Sequence, residues 1–327
     1  MKILYRNSTE GISWVPPDSD EWKVHYRIDS RLKCGNCCEF CTRPTGGNLS
    51  EALEIGCLTF LKGDYVVIDP RQPQQIARDV VNLRPISQVG LGPCGDLWSP
   101  PAKQHDLGRR CLESIYTDDD WPVRVATKNA AITEDIGFMR RYQRRTLVGV
   151  NISAPVEQTK AMSVLEPNAS SIPERMAVLW QAHKAGLRTF VELGPLLPGI
   201  ADSQSQIDEL VGFATECGVE AILARPLDVR YTVLTRTQKA LENAGYTSEA
   251  KALDCLHTRG GWSTYASEMA WKFQRASYKL PETVSLRFFL RASRLLKDDL
   301  WRLEMNDRCI EWVGGKRRCP DSITWRP

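Results

Sequence analysis

Between Tyr65 and Ala224 short β-branched apolar runs alternate with longer segments that repeat an apolar residue every three or four positions. A chain with that alternation is confined to α/β architecture, because each parallel strand needs a crossover helix to reach the next. Strands are predicted over Tyr65 to Asp69, Val89 to Leu91, Val123 to Thr127, Leu147 to Ile152, Thr189 to Leu193 and Ala221 to Ala224. Helices are predicted over Gln74 to Leu83, Leu107 to Tyr116, Glu134 to Arg144, Pro173 to Ala185 and Gln206 to Cys217, with Gly186 and Gly218 closing the last two. With the run His25 to Asp29 these are seven candidate strands for an open parallel barrel of about six, whose site is expected at the strands' carboxyl ends.

Beyond Leu227 the strand signal fades. Arg236 to Ala244, Ser267 to Tyr278 and Ser285 to Leu303 read as helices, the last with Arg287, Arg291 and Arg294 at helical spacing on a solvated face. The expected division is an N-terminal extension over 1–24, a partial (β/α)6 barrel over 25–227 and a mostly helical C-terminal region over 228–327.

Lys and Arg number 43 against 40 Asp and Glu, a net charge of +3 that does not by itself announce a nucleic-acid partner. No stretch approaches the roughly 18 apolar residues of a membrane span and no apolar run follows Met1, so a cytoplasmic protein without a membrane partner is expected. In such a setting the 11 cysteines point to metal or redox chemistry rather than disulfides.

Four of those cysteines lie in Cys34-Gly-Asn-Cys37-Cys38-Glu-Phe-Cys41. Three residues separate Cys34 from Cys38 and two separate Cys38 from Cys41, a spacing that lets one loop wrap an iron–sulfur cubane and leave its fourth iron open. The same run also divides into Cys34-x-x-Cys37 and Cys38-x-x-Cys41, the halves of a zinc knot or of an electron-transfer cluster. On the first reading Cys37 is a small buried thiol.

The three-then-two spacing, with Phe40 before the third cysteine, resembles the defining motif of the radical S-adenosylmethionine (SAM) superfamily. Further stretches resemble its spore photoproduct lyase and DNA-repair-photolyase-like branch: Gly-Pro-Cys94-Gly-Asp96-Leu-Trp, Val125-Ala-Thr-Lys128-Asn, Val150-Asn-Ile-Ser153, Leu165-Glu166-Pro167 through Arg175, and Glu192 through Gly199. Two departures stand out. Gly95-Asp96 replaces the glycine-glycine-glutamate element common in the superfamily, and Thr42 stands where lyases of the branch carry tyrosine.

The resemblance implies an α/β partial barrel of radical SAM type, a [4Fe–4S] cluster on Cys34, Cys38 and Cys41, and reductive cleavage of S-adenosyl-L-methionine with electrons from a flavodoxin- or ferredoxin-like donor. It implies that Lys128 meets the cofactor's carboxylate, that Ser153 reaches its ribose or amino-acid end, that Glu166 contacts substrate or cofactor with Arg175 as its ion-pair partner, and that Cys94 donates a hydrogen atom to a product radical. The expected reaction is hydrogen abstraction in repair or modification of a nucleic acid or nucleotide. The alternatives are radical modification of a small metabolite or peptide, and a non-catalytic iron–sulfur or zinc protein. Cys57, Cys111, Cys217 and Cys255 read as isolated thiols, while Cys309 and Cys319 flank a Gly-Gly-Lys-Arg-Arg turn.

Overall fold

The computed structural model describes residues 2–5, 11–15, 24–28, 34–41, 65–85, 87–92, 95–227, 231–289 and 309–318. The strands are β1 (Lys2–Tyr5), β2 (Ser13–Trp14), β3 (Tyr26–Ile28), β4 (Tyr65–Ile68), β5 (Val89–Leu91), β6 (Val123–Thr127), β7 (Thr146–Ile152), β8 (Arg188–Leu196), β9 (Ala221–Pro226), β10 (Ser285–Phe289), β11 (Cys309–Val313) and β12 (Lys316–Arg318). The α-helices are α1 (Gln72–Asn82), α2 (Pro100–Lys103), α3 (Leu107–Ile115), α4 (Ile136–Met139), α5 (Thr159–Leu165), α6 (Ile172–Lys184), α7 (Gln204–Glu216), α8 (Tyr231–Asn243), α9 (Thr247–Ala252) and α10 (Arg259–Ser277).

One sheet dominates, in the order β12-β11-β10-β9-β8-β7-β6-β5-β3-β2. From β3 to β10 every neighbouring pair is parallel, and β2, β11 and β12 add antiparallel edges. Val123, Val125, Val148, Val150, Val191, Leu193, Ile222, Leu286 and Phe288 face the helices and share the main core with Leu112, Ile115, Val178, Leu179, Leu210 and Phe273. The opposite face carries a smaller core of Val24, Ala126, Leu147, Phe190, Leu223, Phe289 and Cys309. Burial on both faces explains why the inner strands read as continuous β-branched runs rather than alternating ones.

Local sequence sets the helix bounds. The Ser171 and Glu174 side chains cap each other's backbone N–H at the start of α6, and Ser203 with Gln206 repeats this capping box at α7. Gly218 ends α7 with φ +58°, where a Cβ would also lie 2.5 Å from the His183 ring.

Three expectations change. Tyr65–Ile68 is a strand, but it pairs in parallel with β1 in a separate two-stranded sheet rather than joining the barrel. The segment predicted as one helix from Glu134 is broken into 3-10 turns around α4, because Tyr142 leaves helical geometry (φ −119°, ψ 28°) to stack on Tyr116 at 4.1 Å.

The third correction is at Ser285, which begins a strand and not a helix. Leu286 and Phe288 belong to the main core and Phe289 to the opposite one, the period-two pattern of a strand buried on both faces. Arg287 is correspondingly buried and bonds Glu311 of β11 at 2.8 Å, so it lies on no solvated helical stripe. Arg291 and Arg294 lie outside the described residues. The helices α8 to α10 lie where a helical C-terminal extension was expected, while β10 to β12 extend the sheet.

Candidate active site

The cysteine loop follows β3 and is folded tightly against its neighbours. At Gly35 a Cβ would lie 2.3 Å from the Pro101 ring, so only glycine permits this approach. Cys37 takes a left-handed φ of +52°, and the Cys41 N–H donates to the Cys38 carbonyl at 3.0 Å, curling the chain back on itself. Burial pushes the Cys34 thiol up to about 12, with the Asp96 carboxylate and Cys41 adding to the rise and the N–H groups of Asn36 and Asp96 opposing it. Cys38 is also raised by burial; Lys128 opposes that rise, while Glu166, Cys34 and Cys41 reinforce it. Cys34, Cys38 and Cys41 therefore lie within electrostatic reach of one another.

Two buried carboxylates flank this loop. Asp96, just past β5, accepts from Asn36 Nδ2 (3.0 Å), the Trp98 N–H (2.9 Å), Thr127 Oγ1 (2.8 Å), the Lys128 N–H (2.8 Å) and Asn129 Nδ2 (2.7 Å). Asn129 Nδ2 also donates to Asn36 Oδ1 at 2.9 Å. One carboxylate thus ties the cysteine loop to the ends of β5 and β6 through neutral donors.

Glu166, at the end of α5, is held differently. Lys128 Nζ and Arg175 Nη2 each donate to it, and Ser153 Oγ lies 3.1 Å from its Oε1. Ser153 Oγ also lies 3.0 Å from Asn151 Oδ1 and from the Gly194 carbonyl, and Arg175 donates to the carbonyls of Ser170 (2.7 Å) and Asn151 (3.2 Å). Burial alone would raise the Glu166 pKa; the Arg175 guanidinium and the Lys128 ammonium outweigh it and bring the carboxyl down to about 2. Lys128 Nζ sits 4.7 Å from the Phe40 ring centroid, beside the third cysteine.

The structure thus brings Lys128, Ser153, Glu166 and Arg175 together at the ends of β6 and β7, against the cysteine loop. Cys94 lies outside the described residues, as do Thr42, Cys57 and Cys319. Cys111 is a buried thiol within α3, Cys217 a buried one capping α7, Cys255 is exposed, and Cys309 packs in the smaller core. Asn36, Asn129 and the anchoring role of Asp96 escape a sequence reading; the signal available is polar residues at a strand's carboxyl end. Asn168 is another, its Nδ2 donating to the Gly35 carbonyl at 3.0 Å.

Among the described residues no three His, Cys, Asp or Glu side chains already stand as a metal-ion site, so the loop is assigned by its chemistry. Three half-buried thiols on one turn, N–H groups directed at the Cys34 sulfur and an ammonium near Cys38 supply what a thiolate-ligated cluster needs. The raised thiols need a positive centre to be held as thiolates.

The fold resembles solved structures of spore photoproduct lyase. A variant of that enzyme with dinucleoside spore photoproduct superposes with a TM-score of 0.52 over 73% of this chain and 65% of that one, at 14% identity. Another variant, with bound AdoMet and dinucleoside spore photoproduct, gives 0.51 over 73% and 66%, at 13% identity. The chain has the radical SAM partial-barrel fold. No protein-family model matches the chain. Uncharacterised proteins of Mycobacterium bovis and Mycobacterium tuberculosis are 24% identical over 218 residues, 65% of this chain, which spans 62% of their length. No described helix is long and apolar enough to cross a membrane.

The smaller core lies on the face of the sheet opposite the main core. Arg124 projects there, its guanidinium 5.2 Å from the Phe190 ring centroid, and Glu192, bonded by Asn151 Nδ2 at 3.3 Å, lies in the same register row as Leu223 and Arg287.

Proposed function

We propose that this chain is a radical SAM enzyme whose [4Fe–4S] cluster is held by Cys34, Cys38 and Cys41. The observation that carries the reading is the convergence of Lys128 and Ser153, from the ends of β6 and β7, and Glu166, from the end of α5, beside the cysteine loop, with Lys128 and Glu166 both acting on Cys38. Held by those three thiolates, the cluster would supply the electron for reductive cleavage of S-adenosyl-L-methionine. The chain's part is to bind and orient. Lys128 takes the cofactor's carboxylate in place of, or shared with, Glu166, and Ser153 lies at the same strand-end layer. Arg175, only 2% exposed, acts through Glu166 and the Asn151 and Ser170 carbonyls as a positioning residue.

The substrate is proposed to be a nucleic acid or nucleotide-like molecule. The support is the likeness to a lyase solved with a dinucleoside photoproduct, together with Arg124 beside Phe190 on the sheet face that carries the smaller core. A flavodoxin- or ferredoxin-like reductant, a cytoplasmic setting and a catalytic unit over 25–227 belong to the same reading. Cys94 is retained as the proposed hydrogen-atom donor.

Anaerobic reconstitution tests the class. Four irons and four sulfides per chain are expected, with release of 5′-deoxyadenosine from S-adenosylmethionine and a strong reductant. Alanine at Cys34, Cys38 or Cys41 removes the iron, and Cys37→Ala keeps it. Bound zinc without sulfide, or equal iron loss in Cys37→Ala and Cys38→Ala, refutes the assignment.

A further inference from the structure

We infer that Arg236, carried by α8 from beyond the last strand of the proposed catalytic unit, positions the cysteine loop and sets the reduction potential of its cluster. This rests on the function proposed above. Arg236 Nε donates to the Glu39 carbonyl and Nη2 to the Cys41 carbonyl at 2.6 Å. The planar fork of a guanidinium suits two such acceptors, and the pair brackets Phe40, the residue under Lys128. Cys41 is then held from both sides, by Arg236 through its carbonyl and by the Cys38 carbonyl through its N–H.

The clamp is firmly mounted. Val233, Leu234 and Leu241 bury the inner face of α8 in the main core, and the Glu39 N–H donates to the Leu165 carbonyl at 2.8 Å. Arg236 retains about a third of its side-chain exposure (30%), and the Glu39 carboxylate, 3.4 Å from its Nε, is its counter-charge. A cation fixed beside a centre that gains an electron favours the reduced form, and a neighbouring anion opposes it. Arg236 and Glu39 therefore form a pair with opposite effects on one potential, and α8 contributes to the redox site although no cysteine of the motif lies on it.

The test compares reconstituted wild type with Arg236→Gln, Arg236→Lys and Glu39→Gln, reading iron and sulfide content, the midpoint potential from an EPR-monitored titration, and the rate of iron loss to a chelator. Arg236→Gln is expected to shift the reduction equilibrium about tenfold toward the oxidised cluster, about 59 mV for one electron. Glu39→Gln shifts it the other way. Arg236→Lys keeps the potential near wild type but loses iron several-fold faster, because an ammonium cannot hold both carbonyls. A wild-type potential and wild-type iron retention in Arg236→Gln overturn the clamp, as do shifts of the same sign in the Gln variants at 236 and 39. Failure of the wild type itself to assemble a cluster overturns the function beneath it, a result separate from any difference among these variants.

Discussion

Asp96 and Glu166 are both buried, both end near the cysteine loop, and are accommodated by different chemistry. Asp96 is surrounded by amides, a hydroxyl and backbone N–H groups, whereas Glu166 is met by an ammonium and a guanidinium. Neutral donors in fixed positions make a joint that has no better partner to go to. A cation on a carboxylate can be shared with, or passed to, another anion arriving at the same place. On the proposed function the difference separates scaffold from working site: Asp96 holds the loop to the strands, and Glu166 keeps Lys128 ready beside Cys38.

The largest effect is expected at the neutral joint. Asp96→Ala leaves the donors of Asn36, Thr127, Trp98, Lys128 and Asn129 without their acceptor, at about 1 to 3 kcal/mol for each that water does not reach. A loss of about 5 kcal/mol in unfolding free energy is expected, together with failure to retain iron. Asp96→Asn keeps the shape and one acceptor oxygen and is expected to lose less than half as much. Denaturant titration of both variants breaks the comparison if Asp96→Ala costs under about 1 kcal/mol.

At the charged site the two cations are expected to separate by function. Arg175 is sealed in, and removing one partner of a buried pair costs about 3 to 5 kcal/mol, so Arg175→Met is expected to lose stability of that order. Lys128, with 14% of its side chain exposed, is at the rim. Lys128→Met is expected to lose under about 1 kcal/mol of stability but to weaken S-adenosylmethionine binding by one to two powers of ten, the worth of a charge-assisted contact of about 1.5 to 3 kcal/mol. Equal stability losses in the two variants, with cofactor binding unchanged in Lys128→Met, would merge the roles.

How much of this was legible in the sequence depended on the distance over which each feature is encoded. Val123–Thr127 is legible with its observed bounds, because Val123, Val125 and Ala126 mark a buried strand that opens after Pro122. The cysteine spacing and the proximity of Glu166 to Arg175 are likewise local. Ser285–Phe289 reads as helix because Arg287 falls at helical spacing with Arg291 and Arg294, whereas the partner that makes Arg287 a strand residue, Glu311, lies on a different strand. The Asp96 joint is encoded in single polar residues from three segments, Asn36, Asp96 and Thr127 to Asn129, which become a pattern only when β3, β5 and β6 lie side by side. Arg236 is of the same kind: on its own helix it is an ordinary polar position, and only the packing of α8 against the cysteine loop reveals its partners.

The effect most specific to the charged site is in acid. Burial raises the Glu166 carboxyl, but Arg175 and Lys128 outweigh it and bring the folded value to about 2 from an unfolded value near 4.5. A depressed folded pKa means that the unfolded chain takes up the proton first as pH falls. The stabilisation is therefore fully present above about pH 4.5 and is lost progressively as pH drops toward 2, at no more than about 1.4 kcal/mol per pH unit for one proton. Between pH 7 and 5 the group contributes no pH dependence. Glu166→Gln carries no titrating carboxyl, so its stability curve is expected to lack this component of the slope between pH 4.5 and 2 while running parallel to wild type above pH 5. Urea titrations of the two proteins across that range measure the difference directly; parallel curves down to pH 2 would mean that Arg175 and Lys128 do not hold the Glu166 charge as the geometry indicates.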